Sequence, residues 1–148
     1  VSHYHGESEK LARTLHSANI RAQAMLAEGV EVVLKAMQAH ASNAAVQAQG
    51  CSVLGCLVRD CEENKTKAGS AGGVKAVVKA MKAHKMNADV QVTGCRALRS
   101  LADHHDENKA EVYSARGVEE AVAAMREHTS HSDIQGQGRR LLRIIYDL

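Results

Sequence analysis

Five arginines gather in two short stretches of the sequence: Arg96 and Arg99, then Arg139, Arg140 and Arg143. Residues three and four apart share one face of a helix. A guanidinium offers a planar fork of N–H donors that matches a carboxylate or a phosphate bidentately. The chemistry these residues could do is therefore anion recognition. No pattern for bond-making chemistry accompanies them. There is no Gly-x-Ser-x-Gly, no glycine-rich phosphate loop before a lysine and no His-Glu-x-x-His. Cys51, Cys56 and Cys61 step by five, which is ~500° of helix rotation and spreads them around the axis. Cys95 lies apart, and no Cys-x-x-Cys occurs. These read as free thiols of a reducing compartment, cytoplasmic or nuclear. His40, His84 and His128 recur one per 44 residues. That puts them on separate layers ~10 Å apart, where they cannot share an ion. They read as helix-end residues. His104 and His105 fall in a loop, and His128 with His131 lacks a third ligand. No metal, no cofactor and no enzyme activity is implied.

Composition narrows the positioning elements. The chain of 148 residues has no Phe, Trp or Pro and only three Tyr, yet 45% of it is apolar. Its core must be built from Ala, Val, Leu, Met, Ile and Cys, and the lack of Pro favours helix throughout. A net charge of +2 provides no broad basic field for nucleic acid. The missing aromatics remove the stacking platforms that single strands need. No apolar run approaches the ~20 residues of a membrane span, and no signal-peptide pattern opens the chain. Val1 is not a natural start, so the chain reads as a piece of a longer protein.

The elements repeat. Gly29-Val30, Gly73-Val74 and Gly117-Val118 are spaced by 44, as are Met37, Met81 and Met125. Gln47, Gln91 and Gln135 keep the same step, as do Gly50, Gly94 and Gly138, and Leu54, Leu98 and Leu142; Asn64 matches Asn108. A fixed period of this length signals stacked helical units. Counted from the glycine, the units are 29–72, 73–116 and 117–148, with residues 1–28 a partial unit or cap. The last unit lacks a following first helix.

In the middle of the chain the pattern predicts three helices. A short one over about 62–71 is opened by Glu62-Glu63 and stopped by Gly72-Gly73. A second over about 74–84 carries Val74, Val77, Val78 and Met81 at i, i+3, i+4, i+7, with His84 placed to meet its last carbonyls. Asn87 caps a third, whose apolar side is Val90, Cys95, Ala97, Leu98, Leu101 and Ala102. Gly29 is expected to break the chain as Gly73 does. The recurring third-helix glycines suggest close helix contact, and Gly136 beside Gly138 makes the last helix the softest. Leu11, Leu15, Ile20, Met25 and Leu26 could cap the stack.

The run Ala71-Gly-Gly-Val-Lys-Ala-Val-Val-Lys-Ala-Met81, then Asp89-Val-Gln91, then Ala97-Leu98-x-x-Leu101-Ala102, resembles the armadillo repeat, and Asp106-Glu-Asn108 resembles the start of its first helix. The resemblance covers about residues 29–148. It implies an all-α, right-handed α-solenoid, an α-α superhelix whose concave groove is lined by third helices and binds extended peptides or partner proteins. Four ladders then cross the groove: Ser52, Arg96 and Arg140; Gly55, Arg99 and Arg143; Cys56, Ser100 and Ile144; Arg59, Asp103 and Asp147. Armadillo proteins that carry nuclear-import cargo hold Trp on the first ladder and Asn on the third. This chain has neither there, and its groove is arginine-rich instead.

Two readings of that face follow. In one, Ser52, Cys56, Arg59, Arg96, Arg99, Ser100, Asp103, Arg140 and Arg143 bind an acidic or phosphorylated peptide. In the other, Arg99–Asp103 and Arg143–Asp147 pair at i, i+4 and neutralise a solvated surface. Arg139 is expected to point sideways, since its equivalents Cys51 and Cys95 read as core. The expected partner is a protein or peptide, with no nucleic acid and no membrane. The apolar end Leu141-Leu142-x-Ile144-Ile145-Tyr146 could drive self-association. It also leaves room for a structural segment of a longer solenoid whose binding surface lies elsewhere.

Overall fold

The computed structural model describes the backbone of residues 2–148 and the side chains of residues 6–15 and 28–148. Its described residues form eight helices: α1 (Ser2–Ala39), α2 (Ala44–Val58), α3 (Glu62–Ser70), α4 (Gly73–Ala83), α5 (Ala88–Ala102), α6 (Asp106–Ser114), α7 (Gly117–Glu127) and α8 (Ser132–Tyr146). The result is an all-α helical repeat solenoid.

Local chemistry sets the boundaries. α3 and α6 open on acidic pairs, Glu62-Glu63 and Asp106-Glu107, which face the positive end of the helix dipole. Gly72 takes a left-handed φ of 88° between α3 and α4; one period later Arg116 does so with φ 66°. The Asn87 side chain accepts from the Val90 amide at 3.0 Å, and Asn43 accepts from Val46 at 2.9 Å. In the last unit the imidazole of His131 takes over this cap, at a longer 3.3 Å from the Ile134 amide.

The expected break at Gly29 is absent, and α1 runs through it. The left-handed residue that precedes the glycine in the later units is here Glu28, preceded by Ala27, and both are good helix formers. Leu15 is fully buried, and Leu11 packs against the same core. Ile20, Met25 and Leu26 lie outside the residues whose side chains are described.

The helices stack in three layers. α3 and α6 form one. The C-terminal part of α1 with α4 and α7 forms the second. α2, α5 and α8 form the third, in which each helix packs on the next. Val30, Val33, Leu54, Val77, Met81, Leu98, Leu101 and Leu141 are buried between the layers.

Recurrent polar contacts key these layers together. Gln91 Nε2 donates to the carbonyls of Met81 (3.0 Å) and His84 (2.8 Å) at the end of α4. Gln47 and Gln135 do the same at the two equivalent corners. Carbonyls that a helix end leaves orphaned are thereby satisfied. His84 and His128 follow their helices as expected, but their rings do not bond their own last turns. His84 Nε2 lies 2.9 Å from the carbonyl of Ala41 and His128 Nε2 2.9 Å from that of Lys85, each in the preceding unit's turn. Asn108 Nδ2 donates to Leu101 O and to Lys65 O, both at 2.9 Å, and so joins α6 to α3. It can do so because position 69 is glycine, where any Cβ would collide with the Asn108 amide.

Candidate functional site

Arg59 closes α2, Arg96 and Arg99 stand on α5, and Arg140 stands on α8. Arg140, Arg96 and Arg59 are all near enough to act on the Arg99 guanidinium as like charges. Burial pushes the Arg99 guanidinium down, and repulsion from Arg140, Arg96 and Arg59 adds to this, with Asp103 opposing. Arg99 stays charged at neutral pH all the same, because arginine starts so high. Its Nε is shut off from solvent and has no hydrogen-bond partner.

The i, i+4 pairs expected from the sequence do not form. No ion pair within 4 Å joins Arg99 to Asp103 or Arg143 to Asp147. Each carboxylate has another neighbour. Asp147 is 2.7 Å from the Lys109 ammonium, and Asp103 is 3.6 Å from His104 Nε2. Lys65 Nζ also donates to the backbone carbonyl of Asp103 at 2.6 Å. The lysines of α3 and α6 thus hold the ends of α5 and α8, a role that no repeat-based reading assigned to them.

The other candidates are spread more widely. Ser52 and Cys56 are half-buried on α2, whereas Ser100 is buried, only 8% exposed. Gly55 is buried too: a Cβ there would lie 3.5 Å from the Ala97 Cα, so α2 and α5 meet closely at this point. Ile144 is partly buried, packing against the core on one side and bordering an open cleft on the other. Arg143 is exposed and borders a separate open cleft of about 430 Å³ with Asp103, His104, Lys109 and Asp147. Arg139 is exposed, unlike the buried Cys51 and Cys95 it matches. A further cleft of about 260 Å³ lies on the second layer between α1 and α4. Small and apolar side chains line it, with Lys75 and Lys79, and it includes none of the arginines above.

Burial pushes both core thiols up, to about 12 for Cys51, to which Cys95 adds, and to about 12 for Cys95. Both are therefore inert at neutral pH. Cys56 and Cys61 are only half-buried. No group of three His, Cys, Asp or Glu among the described residues could hold a metal ion. No described helix is long and apolar enough to cross a membrane.

Searches for a significant match found no curated protein and no solved structure. A family model does match: the one described as LRRK2 ARM repeat, over residues 8–145. The match spans most of the 148 residues, so the chain belongs to this ARM repeat family.

Proposed function

We propose that this ARM-repeat scaffold is a non-catalytic interaction module that holds an extended acidic or phosphorylated peptide along the layer of α2, α5 and α8. One observation carries the reading. Four arginines on three helices of one layer, Arg59, Arg96, Arg99 and Arg140, act on one another with a single carboxylate, Asp103, among them, and among the described residues none of the four side chains makes an ion pair or hydrogen bond. An ordinary solvated face neutralises its charges locally; this one leaves them in excess. The division into a cap over 1–28 and units over 29–72, 73–116 and 117–148 belongs to the same proposal. So does a reducing cytoplasmic or nuclear setting, which suits four free cysteines.

The test is a screen of the purified chain against acidic, phosphorylated and basic peptide arrays, repeated with Arg96→Ala plus Arg140→Ala. Acidic or phosphorylated hits that vanish in the double variant support the groove. Hits indifferent to those two arginines, or none at all, sink it.

A second reading has its own observation. Leu142 remains partly exposed, whereas its equivalents Leu54 and Leu98 are fully buried, and Tyr113 and Tyr146 are half or more exposed. A further unit or a second copy packed on α6 and α8 would cover them. In this reading the chain is a structural segment of a longer solenoid, or self-associates there. Analytical ultracentrifugation of the chain and of Tyr113→Ser plus Tyr146→Ser tests the self-associating form. A monomer at all concentrations removes that form.

A further inference from the structure

The cleft between α1 and α4 has a shape and a charge of its own. Leu34 and Met37 of α1 and Ala76 and Ala80 of α4 make its apolar floor, and Met37 and Ala80 are buried there. Lys75 and Lys79, one turn apart on α4, stand exposed at its rim. The Gln47 amide also reaches the cleft, but its N–H groups are committed to the carbonyls of Met37 and His40. At about 260 Å³ the hollow suits one or two aliphatic side chains rather than a whole cofactor.

This cleft is not a by-product of the repeat. The same junction one unit on, between α4 and α7, keeps only about 130 Å³. The reason is written in the sequence. Ala76 and Ala83 give way to Glu120 and Glu127 one period later, and Gly72 gives way to Arg116. Small residues hollow out the first junction and longer ones fill the second. The charge reverses too, because the counterpart of Lys75 is Glu119.

The rim of the first cleft is unbalanced. α4 contains no acidic residue, and among the described residues neither Lys75 nor Lys79 makes an ion pair or side-chain hydrogen bond. Like charges one turn apart on a helix disfavour each other. A carboxylate between them removes that repulsion, and an aliphatic group beside it covers the floor. No aromatic ring and no guanidinium lines the cleft, so a nucleotide would find neither a stacking surface nor a phosphate fork.

We propose that the α1–α4 cleft docks a short segment of a partner protein in which an aliphatic side chain is flanked by Asp or Glu. The aliphatic group enters the hollow over Met37 and Ala80, and the carboxylates meet Lys75 and Lys79. The site is separate from the arginine-bearing layer and does not depend on what binds there.

Fluorescence anisotropy with labelled short peptide libraries tests this. The libraries are degenerate except at a fixed centre, which is Asp-Leu-Glu, Asp-Ser-Glu or Lys-Leu-Lys. The Asp-Leu-Glu library is expected to bind roughly tenfold tighter than the Asp-Ser-Glu library, since a leucine is buried. Lys75→Gln plus Lys79→Gln should weaken it roughly fivefold, as two exposed ion pairs would. Ala76→Glu plus Ala83→Glu copies residues that the next unit already carries, so the chain should keep its circular dichroism spectrum and lose binding tenfold or more. Arg96→Ala plus Arg140→Ala should leave binding unchanged. Methionine methyl NMR of the unsubstituted chain should show the Met37 signal moving on addition of peptide and the Met125 signal staying put.

Binding that survives Ala76→Glu plus Ala83→Glu, or that leaves Met37 unmoved, would overturn the cleft as the site. Equal binding of the Lys-Leu-Lys library, or no binding at all, would overturn the acidic–aliphatic partner. If the free chain self-associates and Ala76→Glu plus Ala83→Glu abolishes it, the occupant is a second copy and the assignment to a partner protein fails. Loss of binding in the Arg96→Ala plus Arg140→Ala variant alone would return the peptide to the arginine groove.

Discussion

Gly94 and Met81 are fitted to each other: a Cβ on Gly94 would come to 2.5 Å from the Met81 Cγ and 2.7 Å from its Sδ. The same pair recurs as Gly50 with Met37 and as Gly138 with Met125. Helix α5 lies close to α4 because one side chain is missing where the other needs room. Gly94→Ala should destabilise the chain by about 1–3 kcal/mol through overpacking, less the ~1 kcal/mol that alanine gains in a helix. Met81→Ala alone should cost about 2–5 kcal/mol. The double variant should cost clearly less than the sum, and urea denaturation of all four members of the cycle measures the coupling. Gly136 is the control. Nothing lies within 4 Å of a Cβ there, so Gly136→Ala should stabilise by about 0.5–1 kcal/mol.

Arg116 sits in the left-handed region at the position where the preceding unit has Gly72. A side chain there is strained by roughly 1–2 kcal/mol. Arg116→Gly recovers that strain and loses part of it to a floppier unfolded chain. The expected net gain is about 0.5–1 kcal/mol, or ~1–4 °C in Tm for a chain of this size. A Tm that falls would show that the Arg116 side chain makes a compensating contact.

Gln91 supports two carbonyls from a buried position, whereas the bonds of Gln135 are only partly buried. Gln91→Ala should therefore cost about 1–3 kcal/mol, and Gln135→Ala should cost less because water can replace its amide. Urea midpoints of the two variants decide the order. Equal costs would mean that burial is not what gives these amides their value.

The core thiols make stability fall at alkaline pH. Cys51 and Cys95 ionise near 9.0 in the unfolded chain and near 12 when folded. Below about pH 9 both states are protonated and the contribution is complete. Above it the unfolded chain releases protons first, and stability is lost until the folded thiols ionise near 12. Urea midpoints should decline from pH 8.5 to 10.5, and Cys51→Ala plus Cys95→Ala should flatten that decline. In native protein at pH 8, iodoacetamide should label Cys56 and Cys61 well before the two core thiols.

The period, the helix order and the caps were legible because they depend on local chemistry. Asn87 is a good cap whatever surrounds it, and Glu62-Glu63 suits any helix start. The third-helix glycines were legible as close contacts, although their methionine partners were not, since only the crossing of α4 over α5 brings them together. What the period conceals is whether a side chain bonds within its own unit or the one before. His84 sits at a helix end and reads as a cap for that helix, yet its ring reaches Ala41, 43 residues back. The candidate site suffered from the same blindness. Arg99 and Asp103 have the spacing of an ion pair, but none forms within 4 Å, and the Asp103 carboxylate lies by His104 instead. Gly29 shows the remaining limit. A glycine continues a helix unless its neighbour turns left-handed, and Glu28 does not.

The third layer differs from the other two in what holds its helices in register. Histidines tie successive turns across the second layer, and Asn108 ties α6 to α3 in the first. Between α2 and α5, and between α5 and α8, no hydrogen bond exists among the described residues, only small and apolar surfaces such as Gly55 on Ala97. The first two layers are thus tied by hydrogen bonds, and the third is held by close packing of small and apolar surfaces alone. That third layer carries the arginines. A partner lying across α2, α5 and α8 would add polar ties to the one layer that has none among the described residues.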